Sequence, residues 1–171
     1  MCGIVGYVGD DEAAPILIDG LRRLEYRGYD SAGVAIHEGG GIEIVRAAGK
    51  LRNLEKALSA SPLRGTAGIG HTRWATHGRP SEVNAHPHIA GPIAVVHNGI
   101  IENHLQLRAE LEAGGVTMSS DTDTEIVAHL VHRETQAGHD MLSAVRRALA
   151  QVEGAYAIAV VSEAEPRRIV V

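Results

Sequence analysis

Aromatic residues are scarce in this chain of 171 residues, which contains no phenylalanine, one tryptophan and four tyrosines. Because 44% of the residues are nonetheless hydrophobic, we expect a core of aliphatic side chains and alanine, and a chain of this length fits one domain. Cysteine is equally scarce. The single cysteine, Cys2, excludes an internal disulfide and suits a reducing cytoplasm.

Positive charge is also low, and this limits the partners that the chain can bind. The formal net charge is -5, and no run of lysine or arginine is longer than two residues. A protein that contacts the phosphate backbone of nucleic acid would concentrate basic residues, so no nucleic-acid partner is expected. No apolar stretch reaches the ~20 residues of a membrane span, and the first residues lack the pattern of a signal peptide, so no membrane partner is expected.

Hydrophobic periodicity and turn residues predict a mixed α and mainly antiparallel β domain. Three glycines at 39–41 suit the turn of an antiparallel hairpin. A long polar loop is predicted over 74–91, and loops of that length tend to be functional. Helices are predicted over 12–25, 51–60, 102–112, 124–136 and 140–152. Strands are predicted over 2–9, 32–38, 42–47, 67–73, 93–97, 156–161 and 168–171.

The start of the predicted helix 124–136 carries the spacing of a capping box. Thr122 and Glu125 stand three residues apart. In a capping box, each of the two side chains accepts a hydrogen bond from the backbone N–H of the other residue. We therefore expect a reciprocal cap at this helix end.

Cys2 becomes the first residue if Met1 is removed, and it then carries a thiol and an α-amine together. An α-amine with a pKa near ~7.7 to 8.0 is partly neutral at cellular pH and can accept the proton of a thiol whose pKa is near ~8.5. Cys2 could therefore activate itself as a nucleophile. The alternative is a small buried residue that opens the first strand, the commoner role of a free cysteine.

Two further segments carry groups that could bind a substrate. Arg73 offers a planar guanidinium suited to a carboxylate, although it could equally extend into solvent from a strand end. Trp74 beside it could anchor the loop or cover a bound ligand. Asp123 lies at a predicted helix start, where the dipole stabilises a carboxylate. An ionised Asp123 facing a pocket would bind an ammonium, and with Arg73 it would bind both ends of an α-amino acid.

The dipeptide Asn98-Gly99 follows an apolar run and has two interpretations. Asn-Gly is a common tight-turn dipeptide, which favours a plain turn. The side-chain amide of Asn98 and the backbone N–H of Gly99 could also converge on one oxygen, which is the composition of an oxyanion hole. The residues themselves leave both interpretations open.

Histidine is abundant in the middle of the chain, which raises the possibility of a metal site. Six histidines fall in a short stretch, but neither an HExxH nor a CxxC motif accompanies them. We therefore predict no metal and no cofactor, although a metal hydrolase built on these histidines stays an alternative. The histidines are His71, His77, His86, His88, His97 and His104.

Six segments of the chain together carry a resemblance to a known family: 2–6, 24–33, 70–78, 84–88, 96–103 and 121–125. In order and over essentially the whole chain, they resemble the glutaminase domains of the glutamine:fructose-6-phosphate aminotransferases, which are class II glutamine amidotransferases. Other amidotransferases with an N-terminal cysteine share the Cys-Gly-Ile start but not the residue sequences at 26–31 and 72–78.

This resemblance implies an α+β fold, the four-layer αββα sandwich of N-terminal-nucleophile (Ntn) hydrolases with two antiparallel sheets. It implies an enzyme that hydrolyses L-glutamine to glutamate and ammonia through a thioester on Cys2. Asn98 and Gly99 would be the oxyanion donors. The implied substrate-binding residues are Arg73 for the α-carboxylate, Asp123 for the ammonium, and Trp74, Thr76 and His77 in a loop that closes over glutamine.

The resemblance further implies that residues 1–171 are a glutamine amidotransferase domain that is incomplete at its C-terminal end. In the full-length enzymes, isomerase domains bind fructose 6-phosphate and use the ammonia to form glucosamine 6-phosphate. A cytoplasmic location, and a homo-oligomer only as the full-length protein, are expected. Two alternatives remain: a glutaminase that serves another ammonia acceptor, and a module that binds glutamine without hydrolysing it.

Overall fold

The structure, a computed structural model, describes residues 2–75 and 78–171. Two antiparallel sheets form the centre of the molecule. In that part of the chain, no helix combines the length and the apolar character that crossing a membrane requires.

The first sheet has four strands in the spatial order β1-β4-β2-β3, all antiparallel to their neighbours. The predicted glycine turn joins β2 and β3 as a hairpin, with Ser31 opposite Ala48 at one end and Glu38 opposite Gly41 at the other. The strands are β1 (Gly3–Val8), β2 (Ser31–Glu38), β3 (Gly41–Ala48) and β4 (Ala67–Arg73).

The second sheet has three strands in the order β5-β6-β7, again antiparallel. Val170 adds an isolated bridge to Val160 of β7, so the predicted strand over 168–171 is reduced to one bridge. The strands are β5 (His88–Ala90), β6 (Ile93–Ile101) and β7 (Gly154–Ser162).

Helices cover the outer face of each sheet. Leu17 and Leu21 of α1 are fully buried against the first sheet. At α5 the carboxylate of Asp140 accepts a hydrogen bond from the N–H of Ser143 over 2.9 Å, which caps the helix. The helices are α1 (Ala13–Leu24), α2 (Leu51–Ala60), α3 (His104–Ala113), α4 (Asp123–Gln136) and α5 (Met141–Leu149), with a 3-10 turn over Glu25–Arg27.

A separate apolar cluster lies between the two sheets. Ala35 and Ile69 of the first sheet pack with Ala94, Val96 and Ala159 of the second. With α1 and α2 on one outer face and α3 to α5 on the other, the molecule has the four layers of an αββα sandwich. The expected α+β class with two antiparallel sheets is confirmed.

Two boundary predictions are wrong, and both concern the candidate site. The predicted loop 74–91 contains β5. The strand predicted to end at His97 continues to Ile101, so Asn98-Gly99 lies inside β6 and pairs with Ala157 and Tyr156. The plain-turn interpretation of this dipeptide is therefore excluded, because the ladder of β6 and β7 overrides the local turn preference.

The expected capping box is also wrong. Thr122 is the N-cap of α4 but makes no side-chain cap hydrogen bond. The carboxylate of Glu125 turns back to the preceding loop and accepts hydrogen bonds from the backbone N–H groups of Ser119 and Ser120, both at 2.7 Å. The hydroxyls of these two serines also donate to it. Glu125 therefore fixes the loop that leads into α4.

Candidate active site

Cys2 lies next to the end of β4, because β1 pairs with β4 and places Gly3 opposite Thr72. Its Sγ accepts a hydrogen bond from the backbone N–H of Trp74 over 3.1 Å. The residue is half-buried. The thiol is therefore held at the edge of the first sheet and remains accessible.

Asn98 connects the second sheet to this cysteine. Its Nδ2 donates to the carbonyl oxygen of Cys2 over 3.4 Å, and its Oδ1 lies 2.8 Å from Nε2 of His71. Asn98 comes from β6 of the second sheet, whereas His71 lies in β4 of the first sheet and Cys2 directly precedes β1. The sequence-predicted nucleophile and amide donor thus meet where the ends of the two sheets face each other.

Gly99 adopts a backbone conformation that only glycine tolerates easily. Its φ is 134°, and a Cβ at this position would lie 2.3 Å from the carbonyl oxygen of Ala155. The residue is exposed beside Asn98. Close approach of β7 therefore explains the glycine of the Asn-Gly pair.

The guanidinium of Arg73 is buried, with 3% of the side chain exposed. It donates to the carbonyl oxygen of Gly78 over 3.0 Å and lies 3.8 Å from a carboxylate oxygen of Asp30. Burial lowers its pKa, whereas the charges of Asp30, Cys2 and Asp123 raise it. Arg73 therefore does not extend into solvent. Two of the charges that raise its pKa belong to Cys2, the predicted nucleophile, and Asp123, the predicted ligand of the ammonium.

Asp30 lies beside the candidate site, although the sequence suggested no role for it. Its backbone N–H donates to the carbonyl of Arg73 over 2.8 Å, and its side chain accepts a hydrogen bond from the N–H of Ala75. Asp30 therefore holds the residues before and after Trp74 in place. The only sequence signal was its position in the segment 26–31 that carries the family resemblance.

Trp74 has 54% of its surface exposed. Its ring lies over the backbone of Gly28, where an added Cβ would approach a ring carbon to 2.6 Å. The φ of Gly28 is also positive, at 73°. The ring is thus anchored on one side and open to solvent on the other.

Asp123 is the first residue of α4 and is buried. One carboxylate oxygen accepts a hydrogen bond from the N–H of Ile101 over 3.0 Å, and the other lies 4.0 Å from Nδ1 of His97. A helix N-terminus stabilises a carboxylate in its ionised form. The structure thus places this negative charge beside the end of β6 that carries Asn98.

Four of the six histidines, His71, His86, His88 and His97, are buried behind the candidate site in contact with one another or with threonine hydroxyls, an arrangement that sequence reasoning missed. Nε2 of His86 and Nδ1 of His97 both lie within hydrogen-bond distance of the hydroxyl of Thr124, at 2.6 and 2.9 Å. Burial lowers the pKa of His88 to about 3 and that of His86 well below its usual range. Within residues 2–75 and 78–171, no group of three or more histidine, cysteine or acidic side chains is arranged to hold a metal ion.

A side-chain clamp outside the predicted set joins the loop after β4 to the segment before α4. Asn84 donates to the carboxylate of Asp121 over 3.1 Å and accepts from the N–H of Asp121 over 2.9 Å. It also donates to the carbonyl of Arg79. No sequence pattern pointed to this contact, because it joins residues that are far apart in the chain.

Three predictions fall on residues outside the described part of the chain. These are the removal of Met1 and the substrate-binding roles of Thr76 and His77. Their roles stay predictions.

Comparison with known proteins identifies relatives over nearly the whole chain. The chain is 57% identical over 170 residues to the glutamine--fructose-6-phosphate aminotransferase [isomerizing] of Brucella abortus, covering 99% of this chain and 28% of that protein. It is 55% identical over 172 residues to the enzyme of the same name from Shewanella oneidensis, covering 100% of this chain and 28% of that protein. The chain thus spans less than a third of the length of these relatives.

Solved structures agree with this relationship. The glutamine phosphoribosylpyrophosphate amidotransferase from B. subtilis superposes with a TM-score of 0.80 at 29% identity, over 95% of this chain and 35% of that one. A structure described as the allosteric regulatory enzyme of purine biosynthesis gives a TM-score of 0.82 at 30% identity, over 95% of this chain and 36% of that one.

The family described as "Glutamine amidotransferase domain" matches residues 71–171, more than half of the chain. The fold is that of the Ntn-type amidotransferases. The matched range includes Arg73, Asn98, Gly99 and Asp123, while Cys2 precedes it. This chain belongs to the family of glutamine amidotransferase domains.

Proposed function

We propose that residues 1–171 form a glutaminase domain that hydrolyses L-glutamine to glutamate and ammonia through a thioester on Cys2. The observation that carries the proposal is the contact between Asn98 Nδ2 and the backbone of Cys2 at 3.4 Å. This contact sets a neutral hydrogen-bond donor against the residue that carries the only thiol of the chain. A nucleophile next to such a donor is the arrangement that acyl transfer requires.

The reaction follows from these groups once Met1 is removed. The freed α-amine of Cys2 takes the thiol proton, and the thiolate attacks the side-chain amide carbon of glutamine. Asn98 and Gly99 donate hydrogen bonds to the tetrahedral oxyanion. Ammonia leaves with the proton that the α-amine of Cys2 took from the thiol. Water then hydrolyses the thioester to glutamate. While Met1 is attached, the nitrogen of Cys2 is an amide without a basic lone pair, so the chain is inactive.

Two charges bind the α-amino acid part of glutamine in this proposal. Arg73 binds the α-carboxylate, since its guanidinium has five N–H donors and can keep its contacts with Gly78 and Asp30. Asp123 binds the ammonium. Trp74, whose ring is half exposed, covers the substrate, and Thr76 and His77 of the same loop complete the pocket.

The fate of the ammonia depends on a longer protein. We infer that it is transferred to fructose 6-phosphate, giving glucosamine 6-phosphate on isomerase domains outside this chain. The support is the sequence identity of 57% and 55% to two proteins named glutamine--fructose-6-phosphate aminotransferase [isomerizing]. We also propose a cytoplasmic location, which is supported by the need to keep the catalytic thiol reduced.

The direct test is glutamate release by the chain that begins at Cys2, compared with its Asn98→Ala variant. Loss of one oxyanion donor should lower kcat by about 10² to 10³. A near-normal kcat in a folded variant would overturn the role of Asn98. For the acceptor, fructose 6-phosphate should accelerate glutamine hydrolysis in the longer protein, and no acceleration would favour another acceptor.

A further inference from the structure

His71 contacts Asn98 from the side opposite the catalytic cysteine. Nε2 of His71 lies 2.8 Å from Oδ1 of Asn98, and the histidine is fully buried, with no exposed surface. It lies in β4, two residues before Arg73. None of the roles assigned above uses this side chain.

The side-chain amide of Asn98 contacts the carbonyl oxygen of Cys2 and Nε2 of His71, and the chemistry of these two contacts determines which atoms donate. A backbone carbonyl oxygen can only accept a hydrogen bond, so the group of Asn98 that faces Cys2 must be its NH₂. The carbonyl oxygen of the amide therefore faces His71. Since this oxygen can also only accept, Nε2 of His71 must carry the proton and donate it.

We propose that His71 is a positioning residue, which holds the side-chain amide of Asn98 so that its NH₂ points into the oxyanion hole. This inference rests on the role of Asn98 in the proposed function. Without a donor at His71, the amide can rotate by half a turn and present its oxygen to the site. An oxygen at that position would repel the developing oxyanion instead of stabilising it.

The surroundings of His71 keep it in the donating form. Its Nδ1 is buried and, among the described residues, has no hydrogen-bond partner. An unpaired acceptor there is tolerated better than a buried N–H without an acceptor, which favours the tautomer with the proton on Nε2. Burial lowers the pKa of His71 to about 4, against the smaller opposite effect of its hydrogen bond to Asn98, so the ring stays neutral near pH 7.

A matched pair of substitutions tests the proposal in the chain that begins at Cys2. His71→Gln retains an N–H near the position of Nε2, whereas His71→Met has a similar length and no donor. We expect His71→Met to lower kcat for glutamate release by at least about tenfold, towards the loss of about 10² to 10³ for a missing oxyanion donor, with KM little changed. His71→Gln should recover a clear part of that loss.

His37→Met is the control for the loss of a buried imidazole. His37 is buried at the opposite end of β2 from Ser31, the residue that pairs with Arg73. A merely structural effect of removing a histidine would appear in this variant as well. We expect His37→Met to keep the kcat of the unsubstituted chain.

The double variant with Asn98→Ala separates this inference from the proposed function. If His71 acts through Asn98, adding His71→Met to Asn98→Ala causes no further loss of kcat. If the Asn98→Ala single variant is slow and the His71→Met single variant has a normal kcat, the role of His71 is overturned and the proposed function stands. A normal Asn98→Ala variant overturns both.

Nitrogen NMR of the unsubstituted protein with isotopically labelled histidine gives an answer even if a variant does not fold. The proposal requires a neutral His71 with its proton on Nε2. A proton on Nδ1 and a bare Nε2 would contradict it, because Nε2 could not then donate to Asn98.

Discussion

The backbone N–H of Trp74 donates a hydrogen bond to the Sγ of Cys2 over 3.1 Å, which joins the segment after β4 to the start of β1. The residue after Trp74 is held from the other side, since Ala75 donates to the carboxylate of Asp30. The thiol is therefore positioned by the same segment that carries Arg73. Because that segment also forms the proposed glutamine pocket, the occupancy of the pocket should control access to the sulfur.

This relationship predicts that a bound product protects the thiol. Iodoacetamide should alkylate Cys2, the only cysteine of the chain, and saturating glutamate should slow the reaction severalfold. The measurement is the rate of alkylation by mass spectrometry, with free cysteine in the same solution as the control for direct effects of glutamate. Equal rates with and without glutamate would place the binding pocket away from Cys2.

Removal of the Asp123 charge should weaken glutamine binding. The carboxylate is buried at the start of α4, and a hydrogen bond to a charged group contributes about 1.5 to 3 kcal/mol. Asp123→Asn should therefore raise the KM for glutamine by about 10- to 100-fold. The control is Asp140→Asn, which changes a carboxylate at the start of α5 and should leave KM unchanged. A KM within twofold of the original in Asp123→Asn would remove this residue from substrate binding.

A methyl group at Gly99 should disturb the site through the backbone. A Cβ there would lie 2.3 Å from the carbonyl oxygen of Ala155, so β6 and β7 must move apart. Strained backbone of this kind costs about 1 to 3 kcal/mol before any clash is counted. We expect Gly99→Ala to lower both the free energy of unfolding and kcat.

Gly40→Ala is the matched control for that substitution. Gly40 also has a positive φ, of 94°, but a Cβ there meets no atom within 4 Å. Urea unfolding should show a larger loss in the free energy of unfolding for Gly99→Ala than for Gly40→Ala. Only Gly99→Ala should slow glutamate release. Equal losses would mean that the close approach of β7 is unimportant.

The buried histidines should make the fold sensitive to mild acid. The pKa of His71 is about 4 and that of His88 about 3 because of burial, and burial also lowers the pKa of His86. In the unfolded chain each imidazole binds a proton near pH ~6.5. Below that pH the unfolded state binds more protons than the folded state, so the free energy of unfolding falls as the pH falls from about 6.5 towards 4.

The expected slope can be measured by urea unfolding at several pH values between 7 and 5. Each histidine contributes about 1.4 kcal/mol per pH unit once the pH is well below ~6.5, and three contribute about 4. His88→Gln should reduce this slope by the contribution of one histidine, about 1.4 kcal/mol per pH unit. A free energy of unfolding that does not change over this range would contradict the burial of neutral histidines.

The sequence predicted most of the fold, because the elements depend on local patterns. The helix over Leu51–Ala60 and the strand over Ala67–Arg73 have the predicted bounds. Asn98-Gly99 could not be settled in the same way, since pairing with β7, a contact distant in sequence, overrides its turn preference. Local spacing also misassigned Glu125, whose partners are the serines before α4.

The candidate site was predictable only in part. The chemistry of Cys2, Asn98, Arg73 and Asp123 and the resemblance to a family made these residues candidates for the site. The contacts of Asp30 and His71 could not be predicted, because each is a hydrogen bond to a residue that is far away in the chain. Side-chain contacts between segments that are distant in the chain leave no periodic trace in a sequence.

The central claim is that Cys2, as a free N-terminal residue, forms a covalent intermediate with glutamine. The most direct measurement is mass spectrometry of the N-terminal peptide after glutamine is mixed with the protein and the reaction is stopped rapidly with acid. We predict a peptide that begins at Cys2 and gains the mass of one glutamyl group, with no gain in Cys2→Ala. Release of glutamate without such an adduct on Cys2, or undiminished release by a chain that retains Met1, would contradict the account.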